Sequence, residues 1–397
     1  MRELKLGDIA DIITGPFGSQ LHMEDYVNEG IPVVMPQNIK ERKVDEKDIA
    51  RISEYDYVRL KKYATMKNDM VYARRGDIEK HAFIENDNEM LCGTGCLRIR
   101  VKDSDVLPLY LSFYLCSPEA RKGVVSHAIG TNMQNLNTGI LSEVPVKLPS
   151  YEKQAIIADF LHKLEHKIEL NQKINDYLEE MAKALYDYWF VQFDFPDKKG
   201  KPYKSSGGAL LYNEVLKKEI PFGWTIDTLG NLLSKVPNST KIPATDFCDK
   251  GSIPVIDQSS DFIAGYTDDE TSILSNKTGY IVFGDHTRVV KYIRFPFARG
   301  ADGTQVINSN NRCMPNELFY QVIKSIDLSN YGYARHFKYL KDTIIAIPSA
   351  NLADIYAEKV GKWYENQVSI MKENIALSQL RDWLLPMLMN GQATIEN

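Results

Sequence analysis

The chain has 397 residues, 44% hydrophobic and 25% charged, a balance that excludes disorder as its main state and suits two or three globular domains. Its 48 basic and 53 acidic residues leave a formal charge of −5, so any nucleic-acid contact must rest on local clusters and not on a global positive field. The longest strongly apolar run, Trp383 to Met389, is broken by Pro386 and falls far short of the ~20 residues of a membrane-spanning helix.

In chain order, the first predicted region is β-rich. Short apolar runs punctuated by turn residues, such as Ile31–Met35, Leu97–Val101 and Val144–Leu148, mark strands of a compact module over 1–148. Ser150 is a suitable N-cap for a long helix over 149–195. Ile157, Leu161, Leu164, Ile168, Leu178, Ala182 and Leu185 recur on it with heptad spacing, and Asn171 and Asn175 fill the gap in that seam. Such asparagines either fix register at a stability cost or face solvent at a ragged seam; the sequence leaves both open. A polar segment rich in Gly, Pro and Ser over 196–220 reads as a linker, with a short helix expected from Leu210 to Glu219. A second β-rich region spans 221–347, with strands at Tyr280–Phe283 and Thr343–Ile347. A second long helix over 348–397 carries Tyr356, Val360, Trp363, Ile370, Asn374, Leu377 and Leu384.

This order is a repeat. A shift of 199 positions places Pro149 on Pro348, Ser150 on Ser349, Asn175 on Asn374, Leu178 on Leu377 and Leu185 on Leu384. The β-rich regions correspond more loosely: Gly30-Ile31-Pro32-Val33-Val34 with Ser252-Ile253-Pro254-Val255-Ile256, Gly76-Asp77 with Gly284-Asp285, and Gly93-Thr94 with Gly303-Thr304. The expected fold class is α+β, with two mostly β domains separated by two long helices. An apolar stripe on a rod of ~60 Å must be buried, and its obvious partner is its own repeat, packed antiparallel as a coiled coil with a pseudo-two-fold internal relation.

Catalytic signatures are missing. Gly200-Lys201 is followed by Pro202, so no phosphate-binding loop forms, and no Asn-Pro-Pro-aromatic signature of adenine methylation occurs. Gly93-Thr94-Gly95 reads as a turn, and Cys92 and Cys96 have no second pair at zinc-ligand spacing. His162 and His166, one helical turn apart, read as a solvated face. No metal is expected. Five cysteines without a framework, and an amino terminus without an apolar signal core, lead to an expected cytoplasmic location with no membrane association.

Basic clusters are present. Arg74 and Arg75 precede Gly76, and Lys80 and His81 follow it. An amide-rich loop after His127 holds Asn132, Gln134 and Asn135. In the second region His286, Arg288, Lys291, Arg294 and Arg299 form one cluster, and Arg335 and Lys338 lie in another among tyrosines. Arg suits bidentate contacts to guanine, Asn and Gln to adenine, and Lys and Arg neutralise phosphates. The candidate DNA-binding residues are therefore Arg74, Arg75, Lys80, Asn132, Gln134, Asn135, His286, Arg288, Lys291, Arg299, Arg335 and Lys338.

The whole arrangement resembles the specificity subunit of a type I DNA restriction–modification enzyme. Besides the two-copy plan, Val144-Pro-Val-Lys-Leu148-Pro149-Ser-Tyr-Glu152-Lys-Gln154-Ala-Ile156-Ile157 is similar to the family's entry to its central helix, with Lys153 inserted between Glu and Gln. Ile220-Pro221-x-Gly223-Trp224 and Leu384-Leu385-x-x-Leu388-x-x-Gly391 resemble the link into the second recognition domain and the final helix end. The second copy lacks the Glu-Gln pair after Pro348-Ser349. The resemblance implies a non-catalytic reader of double-stranded DNA with two target-recognition domains, each reading half of a split target. It further implies docking of two adenine methyltransferase subunits and two motor–nuclease restriction subunits. No cofactor is expected on this chain; S-adenosylmethionine, ATP and Mg would belong to those partners. Half-sites about one duplex turn apart, ~34–36 Å, are expected, with helix length setting the gap. The competing expectation is a coiled-coil scaffold bearing two β modules with no DNA role, which the net charge slightly favours. A self-contained nuclease is the remote third.

Overall fold

The structure is a computed structural model and describes residues 1–17, 20–40, 42–127, 136–309, 311–332 and 335–395. The chain forms two compact units: residues 1–169 together with 375–397, and residues 170–374.

In the first unit, strand Arg2–Lys5 pairs antiparallel with Pro145–Leu148, so the β-rich region opens and closes on one ladder. Two four-stranded sheets lie between those ends. One runs Leu91–Cys92, Ile31–Val34, Arg51–Ile52, Tyr26–Val27. The other runs Ala10–Thr14, Cys96–Val101, Met70–Ala73, His81–Phe83. Met70–Ala73 is buried at every position, as expected for a strand covered on both faces. Gly93-Thr94-Gly95 is a turn, with Gly95 at φ +80° and the space above Gly93 filled by Val33 and Val34.

The second unit repeats the scheme. Thr225–Thr228 pairs antiparallel with Ile344–Ile347. Ile253–Ile256 lies between Gly265–Thr267 and Phe297–Gly300, and Tyr280–Gly284 lies between Val290–Ile293 and Thr304–Ile307. Residues 210–221 form a hairpin, Leu210–Asn213 with Lys218–Pro221, and not the expected helix. Asn213 Oδ1 accepts the amides of Val215 and Leu216 at 3.1 and 3.0 Å, and Lys217 takes φ +52°, which reverses the chain. The polar residues before it are tied down: Asp194 accepts from Ser205, and Phe195 stacks on Tyr203 at 4.7 Å and on Trp224 at 5.8 Å.

The long helices are Tyr151–Tyr186, extended by a π-helical turn at Asp187–Val191, and Ala350–Met389, which runs through Pro386. Within the second unit their antiparallel course is explicit. Asn171 Nδ2 donates to Asn374 Oδ1 and to Glu373 Oε2, both at 2.8 Å. Further along, Asn175 O accepts from Gln367 Nε2 at 2.9 Å, and Ala182 O from the Tyr356 hydroxyl at 3.1 Å. In the first unit Ile157, Ala158 and Leu161 share a core with Leu385, Leu388 and Met389. Of the seam residues, Ile157, Leu161, Ala182, Tyr356 and Val360 are buried. Leu164, Ile168, Leu178, Leu185, Trp363, Ile370, Leu377 and Leu384 are half-buried. Buried packing continues beside the seam on Tyr364 and Trp189. Each helix covers a β-rich domain as well as its partner helix, so its apolar stripe is wider than a two-helix seam.

Polar contacts tie the β-rich domains to the helices. Gln154 Nε2 donates to Asp105 O at 2.9 Å and Pro149 O at 3.1 Å, while its Oε1 accepts from Leu107 N at 2.9 Å. Arg42 lies on the Phe113 ring at 3.8 Å, donates to Glu165 at 3.1 Å and also reaches Ser112. In the second unit Arg294 donates to Gly361 O at 2.8 Å and to Glu365 at 3.0 Å.

Candidate nucleic-acid interface

Each unit ends a central hairpin in a loop bonded to the segment before its last short helix. In the first unit the loop joins Met70–Ala73 to His81–Phe83. Arg74 Nε donates to Leu136 O at 3.0 Å, and Leu136 N donates back to Arg74 O at 3.0 Å. The next residue, Asn137, caps helix Thr138–Ser142 through Oδ1, which accepts from Ile140 N at 2.9 Å. The tie thus fixes one end of the amide-rich loop against the basic hairpin. Arg75 is exposed on this loop, and exposed Lys80 pairs with Asp77 at 2.9 Å.

In the second unit the loop joins Tyr280–Gly284 to Val290–Ile293. Buried Asp285 is the knot. Its carbonyl accepts from His336 N at 2.9 Å and its Oδ1 from Phe337 N at 2.8 Å, at the start of helix His336–Asp342. Gln258 clamps the far side: its Oε1 accepts from His286 N at 3.1 Å, and its backbone oxygen from Thr287 Oγ1 at 2.7 Å. Arg288 is exposed at φ +63° on this clamped turn, with exposed Arg335 and Lys338 at the tied helix start. A carboxylate and two amide contacts hold the loop, leaving cationic side chains exposed beside it.

Residues 1–180 match the family described as Type I restriction modification DNA specificity domain. The chain is 24% identical over 426 aligned positions to the type I restriction enzyme MjaIX specificity subunit of Methanocaldococcus jannaschii, covering 99% of this chain and 93% of that protein. It is 31% identical over 182 positions to the HindI specificity subunit of Haemophilus influenzae, covering 45% of this chain and 39% of that one. The fold resembles that of the S subunit of a type I system from M. genitalium, with TM-score 0.59 and 16% identity over 98% of this chain and 95% of that one. Residues 1–180 thus match a type I restriction–modification DNA specificity domain, and over nearly its whole length the chain is similar to a type I specificity subunit. These likenesses support DNA-sequence recognition as its role.

The structure sorts the chain's basic residues by what they touch. Arg74, Arg75 and Lys80 share the first loop, and His286, Arg288, Arg335 and Lys338 meet at the second. Lys291 does not join them. It is 4% exposed, its ammonium donates to Asp257 O at 2.9 Å and to Asp261 O, and burial pushes its pKa down. Lys291 is corrected from a DNA-contact candidate to a structural cation that holds a loop. Arg299 lies half-buried within strand Phe297–Gly300, where burial lowers its pKa and its Nε is enclosed. Asn132, Gln134 and Asn135 lie outside the described residues. Cys92 and Cys96 belong to a buried apolar cluster, where burial raises the Cys92 thiol to about 12. The His162 and His166 rings stack at 6.3 Å.

Sequence reasoning missed Gln258, Asp285 and Arg42, which position the loops and domains. Asp285 had a signal, since Gly284-Asp285 matches Gly76-Asp77 across the repeat. Gln258 and Arg42 act on partners 28 and 123 residues away, a separation that leaves no local pattern. Among the described residues, no helix is long and apolar enough to cross a membrane.

Proposed function

We propose that this specificity subunit reads a bipartite, asymmetric duplex target, one half-site through each recognition domain. The observation that carries the reading is the repeated tie between hairpin loop and short helix, which holds Arg74 and Arg75 in one unit and Arg288, Arg335 and Lys338 in the other. The two loops differ in sequence, so the half-sites differ as well. Lys338 and Lys80 serve as phosphate contacts, while Arg75, Arg288 and Arg335 read base edges, together with Asn132, Gln134 and Asn135 of the amide-rich loop.

In this reading two methyltransferase subunits and two restriction subunits assemble on the chain in the cytoplasm, giving an adenine methyltransferase and an ATP-dependent endonuclease. S-adenosylmethionine, ATP and Mg sit on those partners. An apolar stripe on the first long helix supports a docking role: Leu170, Ile174, Tyr177 and Met181 recur at helical spacing and remain 44%, 44%, 62% and 48% exposed. At the repeat-equivalent place of Met181 the second helix carries Leu380, also exposed, with Trp383 beyond it.

The test is co-expression with the cognate methyltransferase and mapping of methylated adenines. The expected outcome is a split motif. Arg288→Ala and Arg335→Ala should relax positions in one half only, each by ~1–3 kcal/mol of discrimination, while Lys338→Ala weakens all sequences alike. Tyr177→Glu should abolish co-purification of the methyltransferase. A continuous motif, or one unaltered in every arginine variant, sinks the reading.

A further inference from the structure

Three segments of the first unit leave one sheet at the same end, and a single row of bonds fixes that end. Gly15 N donates to Cys96 O at 3.0 Å, Cys96 pairs with Ala73, and Ala73 N donates to Lys80 O at 2.9 Å. Beyond the row the chain emerges side by side: Pro16-Phe17 after strand Ala10–Thr14, Thr94-Gly95 before Cys96–Val101, and Arg74-Arg75 after Met70–Ala73. Gly15 and Ala73 are two strand spacings apart, about 10 Å. Further bonds join the segments above the row. Thr94 Oγ1 donates to Pro16 O at 2.8 Å, and Arg74 N donates to Gly95 O at 2.8 Å.

Phe17 stands out from this assembly. Gly15 and Pro16 before it are buried, and a Cβ on Gly15 would lie 2.2 Å from Gly93 O, so the backbone passes there only without a side chain. Phe17 itself is 59% exposed. Its carbonyl accepts from Gln20 N at 3.4 Å, and Gln20 is held in turn, its Oε1 accepting from the Tyr63 hydroxyl and its backbone oxygen from Arg59, both at 2.7 Å. The ring thus leaves a backbone anchored on both sides, and a contact made by it spends little further ordering entropy.

The surroundings of the ring are cationic. Ile13, Thr14, Gln20, Lys62 and Tyr63 line an open depression with it, and among these described residues Lys62 is the one charged group. The Lys62 ammonium lies 4.8 Å from the centre of the Tyr63 ring. Exposed Arg75 emerges two strands away at the same end of the sheet. An exposed aromatic ring with cations beside it suits a polyanion that also presents apolar ring faces, and stacked bases on a phosphate backbone combine the two.

The second unit keeps the frame and drops the ring. A shift of 223 positions lays Leu6-Gly7 on Leu229-Gly230. Both leucines are fully buried, and their amides donate to Val144 O and Thr343 O, each at 2.9 Å. The same shift lays Phe17 on Thr240, whose hydroxyl bonds to that of Thr271 at 2.8 Å. The fold therefore does not demand an aromatic side chain at this place.

We propose that Phe17 is a base-stacking contact of the first β-rich domain, wedged against one base step of that domain's half-site, with Lys62 on an adjoining phosphate and Arg75 on the base edges beside it. This deepens the DNA-reading proposal and rests on it. Unstacking a step has a cost that depends on its sequence, so the wedge discriminates at a position that no hydrogen bond reads.

The test uses the full chain in complex with its methyltransferase and a duplex carrying the mapped motif. The first domain's half-site is the one that Arg288→Ala and Arg335→Ala leave unaltered. 2-Aminopurine replaces each purine there in turn, apart from the methylated adenine. The expected result is a several-fold change in fluorescence at one step on binding, lost in Phe17→Ala and kept in Phe17→Tyr. Phe17→Ala should also bind the duplex roughly tenfold more weakly, with its thermal unfolding unchanged. A Phe17→Ala complex that binds and signals as the parent does overturns the stacking contact and leaves the split-target reading intact. Loss of the methyltransferase from Phe17→Ala assigns the ring to a protein interface and overturns it as well. A continuous motif in the parent overturns both readings.

Discussion

Lys291 and Arg288 lie three positions apart and their side chains do opposite things. The ammonium of Lys291 is spent on two backbone oxygens of the 257–261 segment, whereas Arg288 stands exposed on a clamped turn. Lys291→Met strips Asp257 O and Asp261 O of their donor and is expected to cost ~1–3 kcal/mol in urea unfolding, with the methylated sequence unchanged. Arg288→Ala is expected to leave stability within ~0.5 kcal/mol and to alter the sequence read. The reverse pattern in paired unfolding and methylation-mapping experiments would return Lys291 to the reading surface. A count of basic residues cannot make this distinction, because a lysine is assigned by the oxygens that fold around it and those lie 30 and 34 residues away.

At the scale of elements, the long helices and their polarity were legible because a heptad stripe and a fixed 199-residue offset are local signals. The strand runs were legible for the same reason, each bounded by turn residues. The hairpin at Leu210–Pro221 was not: Leu-Leu-Tyr-Asn-Glu-Val-Leu suits a helix until Asn213 captures two amides of its own turn. Nor could the seam reveal whether its asparagines were wet or paired. Asn171 is buried and bonded to the facing helix, so the register reading holds for it, whereas Asn175 leaves its Oδ1 unmet and contributes its backbone oxygen instead. A double-mutant cycle tests the pair. Asn171→Leu alone removes a donor from Asn374 and Glu373 and should cost ~1–3 kcal/mol, while the double change Asn171→Leu and Asn374→Leu should recover part of it. Strict additivity in urea unfolding would show that the contact fixes nothing.

For the whole molecule, the chain passes from one unit to the other twice, at residues 169–170 and 374–375, and both passages lie inside the long helices. A helix transmits inserted length at about 1.5 Å per residue. Inserting seven residues into both helices, near Leu170 and near Asn374, is therefore expected to lengthen the unspecified spacer of the target and to leave both half-sites as they were. Methylome mapping of the insertion variant reads both quantities at once, and an altered half-site with an unaltered spacer contradicts it.

The first unit is assembled from the two ends of the polypeptide, since Ile157, Ala158 and Leu161 are covered by Leu385, Leu388 and Met389. On the ribosome those covering residues emerge only after residues 170–374. Residues 170–374 must be translated in the interval, which takes ~10–40 s at ~5–20 residues per second. Throughout that wait the nascent amino-terminal portion exposes an uncovered apolar ridge, so it is a natural client for a chaperone. Premature termination upstream of Leu385 would leave that ridge permanently bare.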